Sequence, residues 1–183
     1  MQKILSCSFL IFLIACQPTP KETIESPPEE GSFEINPEKP ESDEEKLNSI
    51  NTLLDHWHQA AANADADLFF GSMTEDCVYL GTDATEKWKR DELRSWAASA
   101  FERETAWDFT PYEREVYSET DDLAWFDEKL DTWMGECRGS GVVKRTTEGW
   151  KLKQYNLAVT ISNDKIKDFM AIEQEKSFSQ NSH

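Results

Sequence analysis

The apolar residues of this chain change their period near Trp107. Before it they recur at helical spacing, and from Trp107 onward they recur at every second position. Helices first and an antiparallel meander afterwards indicate an α+β fold. Ser42-x-x-Glu45, just after Pro40, reads as a capping box that opens a helix. Leu47, Ile50, Leu54, Trp57 and Ala61 form its stripe, widened by Leu53 and Ala64. Asp65 can cap a short second helix carrying Leu68, Phe69, Phe70 and Met73, and Cys77-Val-Tyr-Leu80 reads as a strand ending at Gly81. A third helix is suggested by Leu93, Trp96, Ala97, Ala100 and Phe101. Strands are expected over 107–118, 123–134, 137–146 and 150–160, punctuated by Asp121-Asp122, Gly135 and Glu148-Gly149. Asn163 or Asp164 can cap a last helix carrying Ile166, Phe169, Met170 and Ile172. The folded domain therefore spans 43–176, with a disordered tail at 177–183.

Ahead of that domain the chain carries an address. Met1-Gln-Lys3 is a short basic start, and an apolar stretch from Ile4 to Ile14 follows. It is too short to span a bilayer. It has the makeup of a secretory signal over residues 1–15. Leu13-Ile14-Ala15-Cys16 resembles the bacterial lipobox, whose processing cuts before the cysteine and acylates it. Several acyl chains anchor stably where one does not. Lipidated Cys16 would thus hold the protein at a membrane of the bacterial cell envelope, and Gln17 after it favours the outer one slightly. Residues 17–46 hold six of the seven prolines and ten acids against three lysines. Such a segment buries too little apolar surface to order itself, so 16–42 reads either as an extended tether or as a segment that folds on a partner.

Charge and cysteine usage narrow the classes further. With 19 basic and 36 acidic residues the net charge is −17, which excludes a nucleic-acid partner because phosphates need Lys and Arg. Of four cysteines only Cys77 and Cys137 remain for the domain, as a disulfide or as two buried thiols. His56 and His58 sit two apart on the first helix and read as surface or rim residues; with His183 they make no metal set. Arg138-Gly-Ser-Gly141 lies in an expected hairpin and opens no helix, so it is no phosphate loop. Neither a metal nor a cofactor is expected.

The strand at 123–134 carries the chemistry. One face presents Ala124, Phe126, Glu128, Leu130, Thr132 and Met134, which puts a carboxylate in the middle of apolar groups. A tight turn at Gly135-Glu136 would pair Leu130 with Gly141 and Glu128 with Val143. Glycines opposite large residues would leave space above the sheet. Continued through Glu148-Gly149, the same face takes Leu152, Gln154, Asn156 and Ala158. The expected pocket therefore gathers Phe126, Glu128, Leu130, Gln154 and Asn156, with Tyr79, Trp57, Asp83 and Glu86 around it. Burial would raise the Glu128 pKa and suit it to general acid-base work, unless a buried partner satisfies it. Asp83 and Glu86 either cap the third helix or touch a ligand. The opposite face would show Trp125, Trp133, Tyr155 and Leu157, with Arg138 across from Trp133. So much apolar surface away from the helices points to a homodimer.

Gly81-Thr-Asp-Ala-Thr-Glu86-Lys-Trp88 after a strand, Trp107, Asp122-Leu-Ala-Trp-Phe-Asp-Glu128, Arg138-Gly-Ser-Gly-Val142 and Gly149-Trp-Lys-Leu-Lys-Gln-Tyr-Asn156 occur in order. Over roughly 46–174 they resemble SnoaL-like members of the nuclear transport factor 2-like superfamily. The resemblance implies a cone, with helices packed on a strongly curved, largely antiparallel sheet that encloses a cavity and often dimerises. It also implies a choice, because the superfamily hosts ketosteroid isomerases, cyclases, dehydratases and non-catalytic binding proteins. The carboxylate and tyrosine positions of a ketosteroid isomerase site find no match among Tyr79, Asp83, Glu86, Glu128 and Tyr155. The expectation is a lipoprotein that binds a small apolar or amphipathic molecule without catalysis. The alternatives are a proton-transfer enzyme with Glu128 as base, and a cell-envelope interaction module.

Overall fold

The computed structural model describes residues 41–118 and 120–172. The chain divides into two units, Met1–Lys39 and Pro40–His183, and every described residue lies in the second. The expected signal, the expected lipidation site Cys16, most of the expected tether and the expected tail at 177–183 fall outside the described residues. Among those residues no helix is long and apolar enough to cross a membrane.

Helix α1, Asp43–Ala62, starts at the expected capping box: Ser42 Oγ accepts from the Glu45 amide at 3.2 Å, and Glu45 Oε2 accepts from the Ser42 amide at 2.8 Å. Three acids in its first turn complement the helix dipole. Ile50, Leu54, Trp57, His58 and Ala61 are buried on one stripe. Ala64, just past the end of α1, takes a positive φ of 52°. Asp65 then caps α2, Ala66–Gly71, through the Leu68 amide at 2.9 Å. Strand β1, Met73–Leu80, begins earlier than expected and pairs with a short β2, Lys87–Lys89, which the sequence does not announce. The expected third helix is split into α3, Arg90–Trp96, and α4, Ala98–Phe101. The meander follows as β3 Thr110–Ser118, β4 Leu123–Thr132, β5 Gly135–Thr146 and β6 Gly149–Val159. A 3-10 turn at Asn163–Lys165 leads into helical residues 166–172, all exposed.

The sheet has six strands in the order β2-β1-β6-β5-β4-β3 and is antiparallel except where β1 runs parallel to β6. Its inner face packs on α1 and α2, where Trp57 stacks on Phe69 at 5.0 Å and meets Tyr155 edge-on at 4.6 Å. Each large side chain buried in that core contributes about 1.5–3 kcal/mol.

Both long hairpins turn on a Thr-x-x-Gly tetrad, Thr132–Gly135 and Thr146–Gly149. The threonine hydroxyl donates to the glycine carbonyl, and the glycine holds φ near +91° or +101°. The first turn thus lies at Trp133-Met134, not at Gly135-Glu136. Leu130 faces Cys137, Glu128 faces Gly139 and Arg138 faces Lys129, so the expected pairing of Arg138 with Trp133 is wrong. The slip is four residues. Because four is even, the inner face of β4 keeps Ala124, Phe126, Glu128 and Leu130.

Strand β6 departs further. A bulge at Lys153 lets Val142 pair with Gln154 and Val143 with Leu152. One extra residue inverts the alternation beyond it. Tyr155 and Leu157, expected at a dimer interface, therefore enter the core, 1% and 6% exposed. Gln154 and Asn156, expected in the pocket, face outward. Cys77 and Cys137 are both buried and free, and burial pushes the Cys77 thiol up to about 12.

Candidate functional site

Glu128 is fully buried and fully engaged. His58 Nε2 lies 2.7 Å from its Oε1, and the Tyr155 hydroxyl donates to the same oxygen at 3.3 Å. Arg114 Nε donates to Oε2 at 2.8 Å. Arg114 continues outward through Nη1 to Asp55 at 2.7 Å and to the Asn51 carbonyl at 3.3 Å. Burial alone would raise the Glu128 pKa, as the sequence reading expected. The His58 hydrogen bond and the charges of His58 and Arg114 outweigh it and hold the carboxyl below its ordinary range. Tyr155, buried beside that carboxylate, is held well above the usual phenol range. An ionised carboxylate only accepts, so His58 donates from Nε2.

Three local devices assemble this cluster. His58 follows Leu54 by one turn of α1 and so shares the buried stripe; it is 7% exposed, which corrects its reading as a surface residue. That i,i+4 relation was present in the sequence. Arg114 is aimed inward by a bulge in β3 between Tyr112 and Glu115, where Glu113 adopts φ 47°. No sequence signal marks that bulge. Gly139 and Gly141 provide the space: a Cβ at Gly139 would collide with the Tyr155 hydroxyl and crowd Glu128 Oε1, and one at Gly141 would strike the Phe126 ring.

Two openings flank the buried cluster. The first is a cavity of about 150 Å³ at the cone mouth. Tyr79, Trp88, Trp96, Trp107, Phe109 and Trp133 form its aromatic walls, with Met134, Leu93 and Leu157 between them. Glu86 lines it too, its Oε2 accepting from the Asp83 amide at 3.2 Å while the Glu86 carbonyl accepts from Gly81. The second is a more open groove of about 290 Å³ where His58 meets Asp55, Gln59, Asp108 and Phe109.

The expected pocket set is therefore divided. Tyr79 and Glu86 reach the cavity, whereas Phe126, Leu130 and Trp57 are core residues at 2%, 0% and 3% exposure. Glu128 lines neither opening. Asp83 sits in an exposed turn and accepts from Thr85; neither it nor Glu86 caps α3, whose N-terminal box uses Glu92 on Lys89. Of the expected interface set, Trp125 is 40% exposed on the outer face beside Tyr117, while Trp133 is 82% exposed at the cavity rim. Trp88, Trp96, Trp107 and Phe109 also line the cavity, and no local sequence pattern marks them for it. Four of the seven tryptophans meet there, a concentration visible only once the chain is folded. Among the described residues no group of three or more His, Cys, Asp or Glu is placed to hold a metal ion.

A domain of unknown function with a cystatin-like fold from Nostoc punctiforme PCC 73102 superposes with a TM-score of 0.60 at 14% identity, covering 74% of this chain and 93% of its own. A nuclear transport factor 2-like protein of unknown function from Pseudomonas putida KT2440 gives 0.56 at 15%, covering 68% and 92%. A protein of the same superfamily from Streptomyces avermitilis, described as a candidate dehydratase, gives 0.57 at 13%, covering 66% and 100%. At these identities the likeness shows the fold. No curated protein sequence matches the chain. The family model of the SnoaL-like domain matches residues 50–162, most of the chain, and the chain belongs to that family.

Proposed function

We propose that this protein is an exported, lipid-anchored binding protein of the bacterial cell envelope whose cone mouth holds a small apolar or amphipathic molecule without turning it over. The observation that carries the reading is the aromatic cavity: six rings converge on a space that Glu128 does not reach. The buried carboxylate is spent on His58, Arg114 and Tyr155, so it serves the fold. At about 150 Å³ the cavity matches the volume that holds a benzene-sized group, below the roughly 300–1,000 Å³ of pockets that enclose drug-sized ligands. It takes a compact molecule or one end of a longer one. Leu13-Ile14-Ala15-Cys16 supports the anchor. The outer sheet face with Trp125, Tyr117 and Leu123 supports a homodimer.

Native mass spectrometry of the full chain, extracted from membranes in mild detergent, tests this. A small molecule retained through extraction and displaced by Trp88→Ala is expected. A bare protein, whose tryptophan emission no compact apolar compound changes, overturns it. Cys16→Ser should release the chain from the membrane fraction.

One observation favours a second reading, proton-transfer catalysis. His58 lines the open groove and is oriented from behind by Glu128, an arrangement suited to a general base. A structural neighbour is described as a candidate dehydratase. Turnover lost in His58→Asn with the fold intact would select this reading over the first.

A further inference from the structure

We propose that the group held at the cone mouth is a cation, specifically an alkylated or quaternary ammonium head group. This inference rests on the binding reading above and names the chemistry of its ligand. Tyr79, Trp88, Trp96, Trp107, Phe109 and Trp133 outnumber the aliphatic wall residues two to one. Aromatic faces carry negative quadrupole density, and a box of them attracts a positive charge that has shed its water. Trp88 and Trp96 lie 4.5 Å apart, centroid to centroid, at 33°, and Tyr79 stands 6.4 Å from Trp88, so these three rings adjoin along one side of the cavity.

The lining also carries a carboxylate, Glu86, half-buried at the mouth. Its charge gives a bound cation an electrostatic partner that a neutral ligand would not use. Two features hold it there. The Asp83 amide donates to Oε2, and Gly81 leaves the room it occupies, since a Cβ on Gly81 would collide with the Glu86 carboxylate. Among the described lining residues no Lys, Arg or His supplies the opposite charge. The net charge of −17 adds a field that draws cations toward the mouth and repels anions. Trp96 and Trp133 are 54% and 82% exposed at the rim, where closing on a ligand would bury them. The volume accommodates a trimethylammonium group with its carrier chain left outside.

The test compares choline with 3,3-dimethyl-1-butanol, its neutral isostere of equal shape, by titrating the tryptophan fluorescence of the full chain. Choline is expected to bind about tenfold tighter, and Glu86→Gln, which keeps the acceptor for the Asp83 amide, to remove most of that difference. Trp96→Leu, at an exposed position, should weaken choline more than the alcohol. Equal binding of the two probes overturns the cation while leaving an apolar cavity standing. Binding of neither overturns both. Dodecylphosphocholine below its micellar concentration distinguishes sources: tighter binding than choline assigns the head group to a lipid, and weaker binding assigns it to a free ammonium compound.

Discussion

His58 on α1 and Glu128 on β4 meet at 2.7 Å in a region where the carboxylate has no contact with solvent. The pair joins the helical layer to the sheet by an ionic hydrogen bond, and Arg114 extends it from β3 to Asp55 at the surface. Removing one member of a buried ionic cluster leaves the others without compensation, whatever the net worth of the intact cluster.

Glu128→Gln should therefore cost about 3 kcal/mol in urea unfolding. It should also change the acid limb. The Glu128 carboxyl is held below its ordinary value of 4.5 in the folded state, so its contribution is complete above pH 4.5 and is lost as pH falls through the folded value. Exposed Asp76, lowered to about 2 chiefly by its Lys153 hydrogen bond, adds to that limb in both proteins. The observable is the difference between wild type and Glu128→Gln, which should shrink steadily below pH 4.5. A difference unchanged down to pH 2.5 would remove the ionic role.

Gly139→Ala tests the space above the sheet. Its Cβ meets the Tyr155 hydroxyl and Glu128, so a loss of about 1–3 kcal/mol is expected. Tyr155→Phe removes the obstructing oxygen, and the double variant should lose less than the two single losses together. Additive losses would show that Gly139 matters for another reason.

Trp133 offers the opposite case. At 82% exposure in the β4–β5 turn, Trp133→Ser should alter the melting free energy by less than about 0.5 kcal/mol. Because the ring borders the cavity, ligand affinity should fall in the same variant. Stability and binding measured together separate rim from core.

Ser42→Ala removes the hydroxyl that accepts from the Glu45 amide and should cost about 1 kcal/mol, read as a lower thermal midpoint. This prediction required no structure, since Ser42-x-x-Glu45 declares its geometry locally.

That contrast marks the division between sequence and tertiary structure. Local signals were enough for α1 with its cap, the stripe of Ile50, Leu54 and Trp57, the order of four late strands and the inner face of β4. Helical spacing and strand alternation are local, and an even error in hairpin register leaves a face unchanged. The rest depends on contacts between strands. The bulge at Lys153 moved Tyr155 and Leu157 into the core and Gln154 and Asn156 out of it, and the bulge at Glu113 turned Arg114 toward Glu128. A bulge adds one residue to a period of two, and its position is set by how neighbouring strands match across a curved sheet. The partners of Glu128 and the aromatic mouth, drawn from residues 79 to 157, follow from that matching.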